Sequence, residues 1–205
     1  YTFVGSGTSW SQQAKLVDGD AATDDFFRKS VSISSDYGVV GAYADDNGGS
    51  GSGSAYTFVR DGTSWSQQAK LVADDAAAVD QFGYSVSISG DYALVGALYD
   101  DDGGSSSGSA YTFVRSGTSW SQQAKLVAGD AATNDFFGKS VSISGDYALV
   151  GAYGDDDGGS SSGSAYTFVR DGTSLSQQAK LVADDAAAVD QFGYSVSISG
   201  DYALV

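Results

Sequence analysis

Phe82, Tyr84, Val86 and Ile88 are aromatic or apolar, and the residues between them, Gly83, Ser85 and Ser87, are small or polar. A period of two marks a β-strand with one face against a core. Ser89-Gly90-Asp91 then supplies a tight turn. Tyr92 to Ala97 is apolar on both faces, as a strand covered on both sides would be. A loop rich in Asp, Gly and Ser follows from Asp100 to Ser109. Ala110 to Arg115 reads as a third strand, Ser116-Gly117-Thr118 as a turn, and Trp120 to Val127 as a fourth strand. No run has a helical period, and Gly and Ser are too frequent for long helices.

This pattern recurs without insertion or deletion. Tyr-Thr-Phe-Val stands at Tyr1, Tyr56, Tyr111 and Tyr166, and Ser-Gln-Gln-Ala-Lys-Leu-Val begins at Ser11, Ser66, Ser121 and Ser176, each at intervals of 55 residues. A longer period of 110 overlies it: Asp25 and Asp135 precede Phe-Phe, whereas Asp80 and Asp190 precede Gln-Phe-Gly-Tyr. Four antiparallel strands per unit is the make-up of a β-propeller blade. A β-solenoid uses shorter repeats, and a two-sheet sandwich does not ordinarily keep a fixed period. The expected fold is therefore all-β: a β-propeller of four-stranded antiparallel blades, in one domain spanning residues 1–205.

From Tyr1 the strand order is third–fourth, then three full sets, then first–second to Val205. Three blades are complete and a fourth is split between the chain ends. Three assemblies are open: four blades closed within one chain, eight closed head-to-tail between two chains, or part of a longer array. Eight blades from two chains, or part of a longer array, is favoured over four, because large aromatics widen each blade. Beginning at Tyr1 in mid-pattern, the chain reads as a processed product or a fragment.

Composition narrows the chemistry. A net charge of −16 repels phosphates and anionic lipid heads, so neither nucleic acid nor a membrane surface is an expected partner. No stretch approaches the roughly 20 apolar residues of a membrane-spanning helix. There is no Cys and no His, which removes disulfides, the usual nucleophilic triads and His-based metal sites. Paired carboxylates could run glycoside hydrolysis. Each acidic pair has copies in other repeats, however, whereas an active site breaks symmetry; no enzyme is expected.

Four sets of residues are candidates for function. Asp100-Asp101-Asp102 and Asp155-Asp156-Asp157, with a weaker copy at Asp45-Asp46-Asn47, sit in Gly-rich loops where calcium could find carboxylate oxygens. The competing reading is a plain solvated loop. A second acidic set precedes each first strand: Asp20, Asp24 and Asp25; Asp74, Asp75 and Asp80; Asp130 and Asp135; Asp184, Asp185 and Asp190. It reads as turn-capping, or as a rim that binds cations. Trp10, Trp65 and Trp120 could stack on a sugar, one per blade, although Leu175 at the same phase favours packing. Lys29, Tyr84, Lys139 and Tyr194 share one position of the first strand. If that strand lines the axis they form a mixed ring, which is either a small-ligand site or a solvated surface.

Phe82-Gly83 followed by Leu94-Val95-Gly96-Ala97 resembles the FG-GAP repeat, the blade unit of the integrin α-subunit propeller and of many bacterial surface proteins. The match recurs at Phe137-Gly138 with Val150-Gly151-Ala152, and at Phe192-Gly193 before Leu204-Val205. Tyr43, Leu98 and Tyr153 replace the motif's Pro, and Arg28 stands where repeat one should have Gly. The family's Asp-x-Asp-x-Asp-Gly calcium loop between first and second strands is here only Ser89-Gly90-Asp91, so that site is not carried over. The resemblance implies a non-catalytic extracellular or cell-surface scaffold that binds protein or glycan, with a role in adhesion; the split blade adds an expectation of head-to-tail homo-oligomers by blade completion. A purely structural repeat of a surface assembly is the alternative.

Overall fold

The computed structural model describes residues 1–20 and 25–205, and all side chains among them except that of Arg28. Asp24 and the Arg28 side chain therefore lie outside the described residues. From Phe82 to Val127 the strands form where the alternation places them, within a residue at each end. A hairpin, β1 (Thr2–Ser6) and β2 (Ser9–Ala14), comes first. Blade I follows with β3 (Phe27–Ser34), β4 (Tyr37–Ala42), β5 (Ser54–Asp61) and β6 (Ser64–Leu71). Blade II has β7 (Phe82–Ser89), β8 (Tyr92–Ala97), β9 (Ser109–Ser116) and β10 (Ser119–Leu126). Blade III has β11 (Ser140–Ser144), β12 (Tyr147–Ala152), β13 (Ser164–Asp171) and β14 (Ser174–Leu181). A second hairpin, β15 (Ser197–Ser199) and β16 (Tyr202–Leu204), ends the chain. Each blade is an antiparallel meander in chain order, and the two hairpins stand as separate two-stranded sheets.

The first strands β3, β7, β11 and β15 pack on one another, whereas the fourth strands of neighbouring blades barely meet. The sheets fan outward from the first strands, which line the axis.

The motif residues make the seams between blades. Phe82 is buried edge-on against Tyr111 and Phe113 of its own blade, at ring-centre distances of 5.4 and 5.9 Å. Gly83 follows with φ 88°, a conformation open to glycine. Its carbonyl oxygen enters the preceding blade, 1.9 Å from where a Cβ on Gly41 would be. Gly138 lies against Gly96, and Gly193 against Gly151, in the same way. Both glycines of the motif are thus needed for one backbone contact.

The polar alternates of the first strand serve the same seams. Ser30, Ser32 and Ser34 Oγ accept hydrogen bonds from the backbone N–H groups of Val86, Ile88 and Gly90 in blade II, at 3.0, 3.2 and 3.1 Å. Ser87 and Ser89 do so for Ile143 and Gly145, and Ser142 and Ser144 for Ile198 and Gly200. Val86 and Ile88 are each 5% exposed beneath this ladder. Their equivalents in blade I, Val31 and Ile33, are 69% and 64% exposed. Beside them a cavity of about 700 Å³, lined by Phe27, Val39 and Trp65 among others, opens between the first hairpin and blade I.

Candidate functional site

In every blade one Tyr and one Lys face each other across the third and fourth strands: Tyr56 with Lys70, Tyr111 with Lys125, and Tyr166 with Lys180. The antiparallel register fixes this pairing, and it puts the ammonium over the phenol ring, 5.2 Å from the centre at Tyr111. The loop after the second strand and the connection from the preceding blade then bring carboxylates to the same point. Lys125 Nζ donates to Asp75, Asp100 and Asp102 at 2.7, 2.9 and 2.5 Å. Lys180 does the same with Asp130, Asp155 and Asp157 at 2.7, 2.8 and 2.5 Å. In blade I, Asn47 takes the third place, and Lys70 pairs with Asp20 and Asp45 at 2.6 and 2.8 Å.

Tyr111 is fully buried, and its hydroxyl lies 2.7 Å from Asp100 and 3.0 Å from Asp75; its single proton serves the shorter contact best. Burial, together with these two carboxylates, drives the Tyr111 phenol well above its ordinary range. Burial works against the Lys125 ammonium, but the three carboxylates outweigh it and hold its pKa above the ordinary lysine value. Asp75 and Asp155 are held below the usual carboxylate value, since the bonds from Lys and Tyr overcome the cost of burial.

The Asp-rich loop is thereby tied down. Asp100 is buried; its Oδ1 accepts from Ser109 Oγ at 3.0 Å and from the Asp102 amide at 3.1 Å. Asp101 Oδ1 accepts from the Ser106 amide at 2.6 Å, and Ser107 Oγ accepts from the Gly103 amide at 3.0 Å. Asp155 and Asp156 repeat this with Ser164 and Ser161. The structure thus brings Asp100 and Asp102, and Asp155 and Asp157, together around one point, and turns Asp101 and Asp156 away to the loop backbone. Three converging carboxylates are the donor set of a cation. The cation they surround is a lysine ammonium, which calcium would have to displace. Asp91, in the short turn between first and second strands, pairs with Arg115.

The second acidic set divides. Asp20, Asp75 and Asp130 join the lysines, while Asp80, Asp135 and Asp190 accept from the amides of Ala77, Ala132 and Ala187 in their own turns, at 2.8, 2.7 and 2.8 Å. Burial and the charges of Asp155 and Asp130 raise Asp135 to about 6, against the bond from Ala132.

Two of the three tryptophans lie in seams between sheets. Trp65 and Trp120 are half-buried, and each indole N–H donates across to the preceding sheet: to Gln13 Oε1 at 2.9 Å and to Gln68 Oε1 at 2.8 Å. Trp10, on the first hairpin, is 73% exposed and rests against Gly5. The neighbouring Gln reaches the other way: Gln67, Gln122 and Gln177 Oε1 accept from the amides of Gly19, Asp74 and Gly129 in the preceding unit. Residue-by-residue reading passed over these glutamines and the lysines Lys70, Lys125 and Lys180. Their signal was present, since both lie in the repeated string Ser-Gln-Gln-Ala-Lys-Leu-Val.

Comparison with known families agrees with this anatomy. The FG-GAP repeat model matches four times, over residues 10–58, 65–113, 120–168 and 175–205. No curated protein matches the chain.

Proposed function

The chain belongs to the FG-GAP repeat family, a binding or structural module, and we propose from that premise that it is a non-catalytic scaffold, extracellular or at the cell surface, that recognises protein or glycan. The observation that carries this reading is repetition of a rigid surface. Blades II and III present the same loop, Asp100 to Ser109 and Asp155 to Ser164, held by the same internal bonds. Blade I presents a close variant. Several copies of one surface at fixed spacing suit a partner that is itself repetitive, because each further contact is made at high effective concentration. Adhesion is the role such avidity serves.

The test is an array of glycans and extracellular-matrix proteins probed with the unmodified chain at low and high valency. Binding that strengthens steeply with valency supports the reading. A silent array sinks it.

A second reading, a structural repeat that joins neighbours head-to-tail, is favoured by the uncovered faces. Val31 and Ile33 are exposed where their equivalents are buried, and Ser195, Ser197 and Ser199 are exposed where the matching serines of other blades bond the next blade. A second copy setting its β15–β16 hairpin beside β1 would cover both, and two chains would give eight blades. Light scattering decides: a mass near twice 20.9 kDa that falls to 20.9 kDa with Ile33→Lys supports it, and a monomer in the unmodified chain overturns it.

A further inference from the structure

At the axis, one residue from each unit stands beside its neighbours in the order Lys29, Tyr84, Lys139, Tyr194. Lys139 Nζ donates to the Tyr84 hydroxyl at 2.8 Å and lies over both flanking rings, 4.5 Å from the centres of Tyr84 and of Tyr194. Lys29 also lies over the Tyr84 ring, 4.7 Å from its centre. Behind them Tyr43 meets Tyr84 at 5.5 Å and Tyr153 meets Tyr194 at 5.3 Å, so the belt is continuous. Burial would raise the Tyr84 phenol, but the two ammonium groups hold it below the ordinary tyrosine value.

The partners of these lysines are unusual for this chain. The acidic residues outnumber the basic by 26 to 10, and the strand cations Lys70, Lys125, Lys180, Arg60, Arg115 and Arg170 all reach carboxylates. Among the described residues neither Lys29 nor Lys139 does. The acid nearest Lys139 in sequence, Asp135, is turned to its own loop amide, as is Asp80 before Tyr84. Among the described residues, the two ammonium groups thus meet rings and a phenol at the axis, and Tyr194 remains half exposed.

A ligand matched to this belt brings negative charge for the ammonium groups, hydroxyls for the phenols, and a ring whose C–H face lies on tyrosine. A cationic ligand is repelled by the lysines, and a neutral sugar leaves them unpaired. We propose that the axial Lys–Tyr belt binds a carboxylate-bearing sugar of an acidic polysaccharide, of the uronic-acid class. This deepens the glycan reading of the propeller and rests on it. The chain's overall negative charge opposes approach but is screened over about 8 Å at physiological ionic strength, while the belt acts at contact.

The experiment is calorimetric titration of the 205-residue chain with galacturonate oligomers, neutral galactose oligomers of equal length, and polyglutamate. The expected result is measurable binding of the uronate oligomer alone, weakened about tenfold or more by Lys139→Met and by raised salt. Equal binding of neutral oligomers, equal binding of polyglutamate, or an unchanged affinity in Lys139→Met overturns the proposal. Should that variant fail to fold, the comparison of ligands on the unmodified chain decides, and Lys29→Met repeats it. An array positive for other ligands, with no uronate binding, overturns this inference alone and leaves the wider function standing.

Discussion

Gln123 and Leu175 mark the seam at which the indole-to-amide bond is missing. In the two seams before it, an indole donates to Gln13 and to Gln68. Leu175 holds the indole's place in blade III, and the side-chain oxygen of Gln123 is buried without a partner. The amide was desolvated for a donor that this seam lacks. Leu175→Trp is therefore expected to stabilise the chain, by about 1 kcal/mol for the restored bond, with a rise in the urea midpoint. A fall in the midpoint would mean that this seam has closed too tightly for an indole.

Gly96 gives the opposite expectation. A methyl there would sit 2.0 Å from the carbonyl of Gly138, and backbone cannot swing aside as a side chain can. Gly96→Ala should cost about 3 kcal/mol by forcing blades II and III apart. Gly117→Ala is the control: its φ of 63° strains any side chain, but nothing lies near, so about 1 kcal/mol is expected. Equal losses in the two variants would show that conformation, and not contact, fixes these glycines.

Lys125→Met removes the cation from among Asp75, Asp100 and Asp102. Because the cluster is partly open to water, the loss should be about 2–4 kcal/mol at pH 7. It should shrink on acidification, as carboxylates without their cation take up protons. Millimolar calcium should restore part of it in the variant, while calcium and a chelator leave the unmodified chain unchanged. Thermal melts under the four conditions read this directly. A chelator effect on the unmodified chain would show that metal and lysine share the site.

Asp135 sets a pH dependence of definite sign. In the folded chain it keeps its proton up to about 6, and in the unfolded chain it loses it near the ordinary 3.8. Between those values the folded state binds more protons, so this group's contribution falls as pH rises. Asn can accept the bond from Ala132 without the charge. Asp135→Asn should therefore be about 1–2 kcal/mol more stable at pH 7 and equal to the parent near pH 4, by urea melts across the range. A loss of stability at pH 7 would show that the turn needs the carboxylate's charge.

The strands and turns were readable along the chain because their causes are local or periodic. Alternation at Phe82–Ile88 gives a strand, and Ser89-Gly90-Asp91 gives a turn. The lysine clusters were not readable in this way. Asp75, Asp100 and Lys125 are brought together only by a blade connection, a loop and an antiparallel register, and no local pattern encodes a meeting of three segments. Asp100-Asp101-Asp102 appears as a uniform run, yet backbone geometry sends the middle carboxylate to Ser106 and the outer two to Lys125. The tryptophans are a different case, since Leu175 at the same phase already favoured packing. An indole for a sugar and an indole for a seam look alike until its N–H partner is known, and that partner, Gln68, is 52 residues away.

The alternation of lysine and tyrosine at the axis bears on counting. Each Lys139-type ammonium rests between two tyrosine faces, an arrangement that requires unlike neighbours on both sides. Any closed ring built by continuing this order needs an even number of units. An odd number would bring two ammonium groups, or two phenols, side by side at one junction. Loss or gain of a single 55-residue unit would thus leave every seam intact and still break the parity of the axis, so such arrays should grow and shrink in pairs.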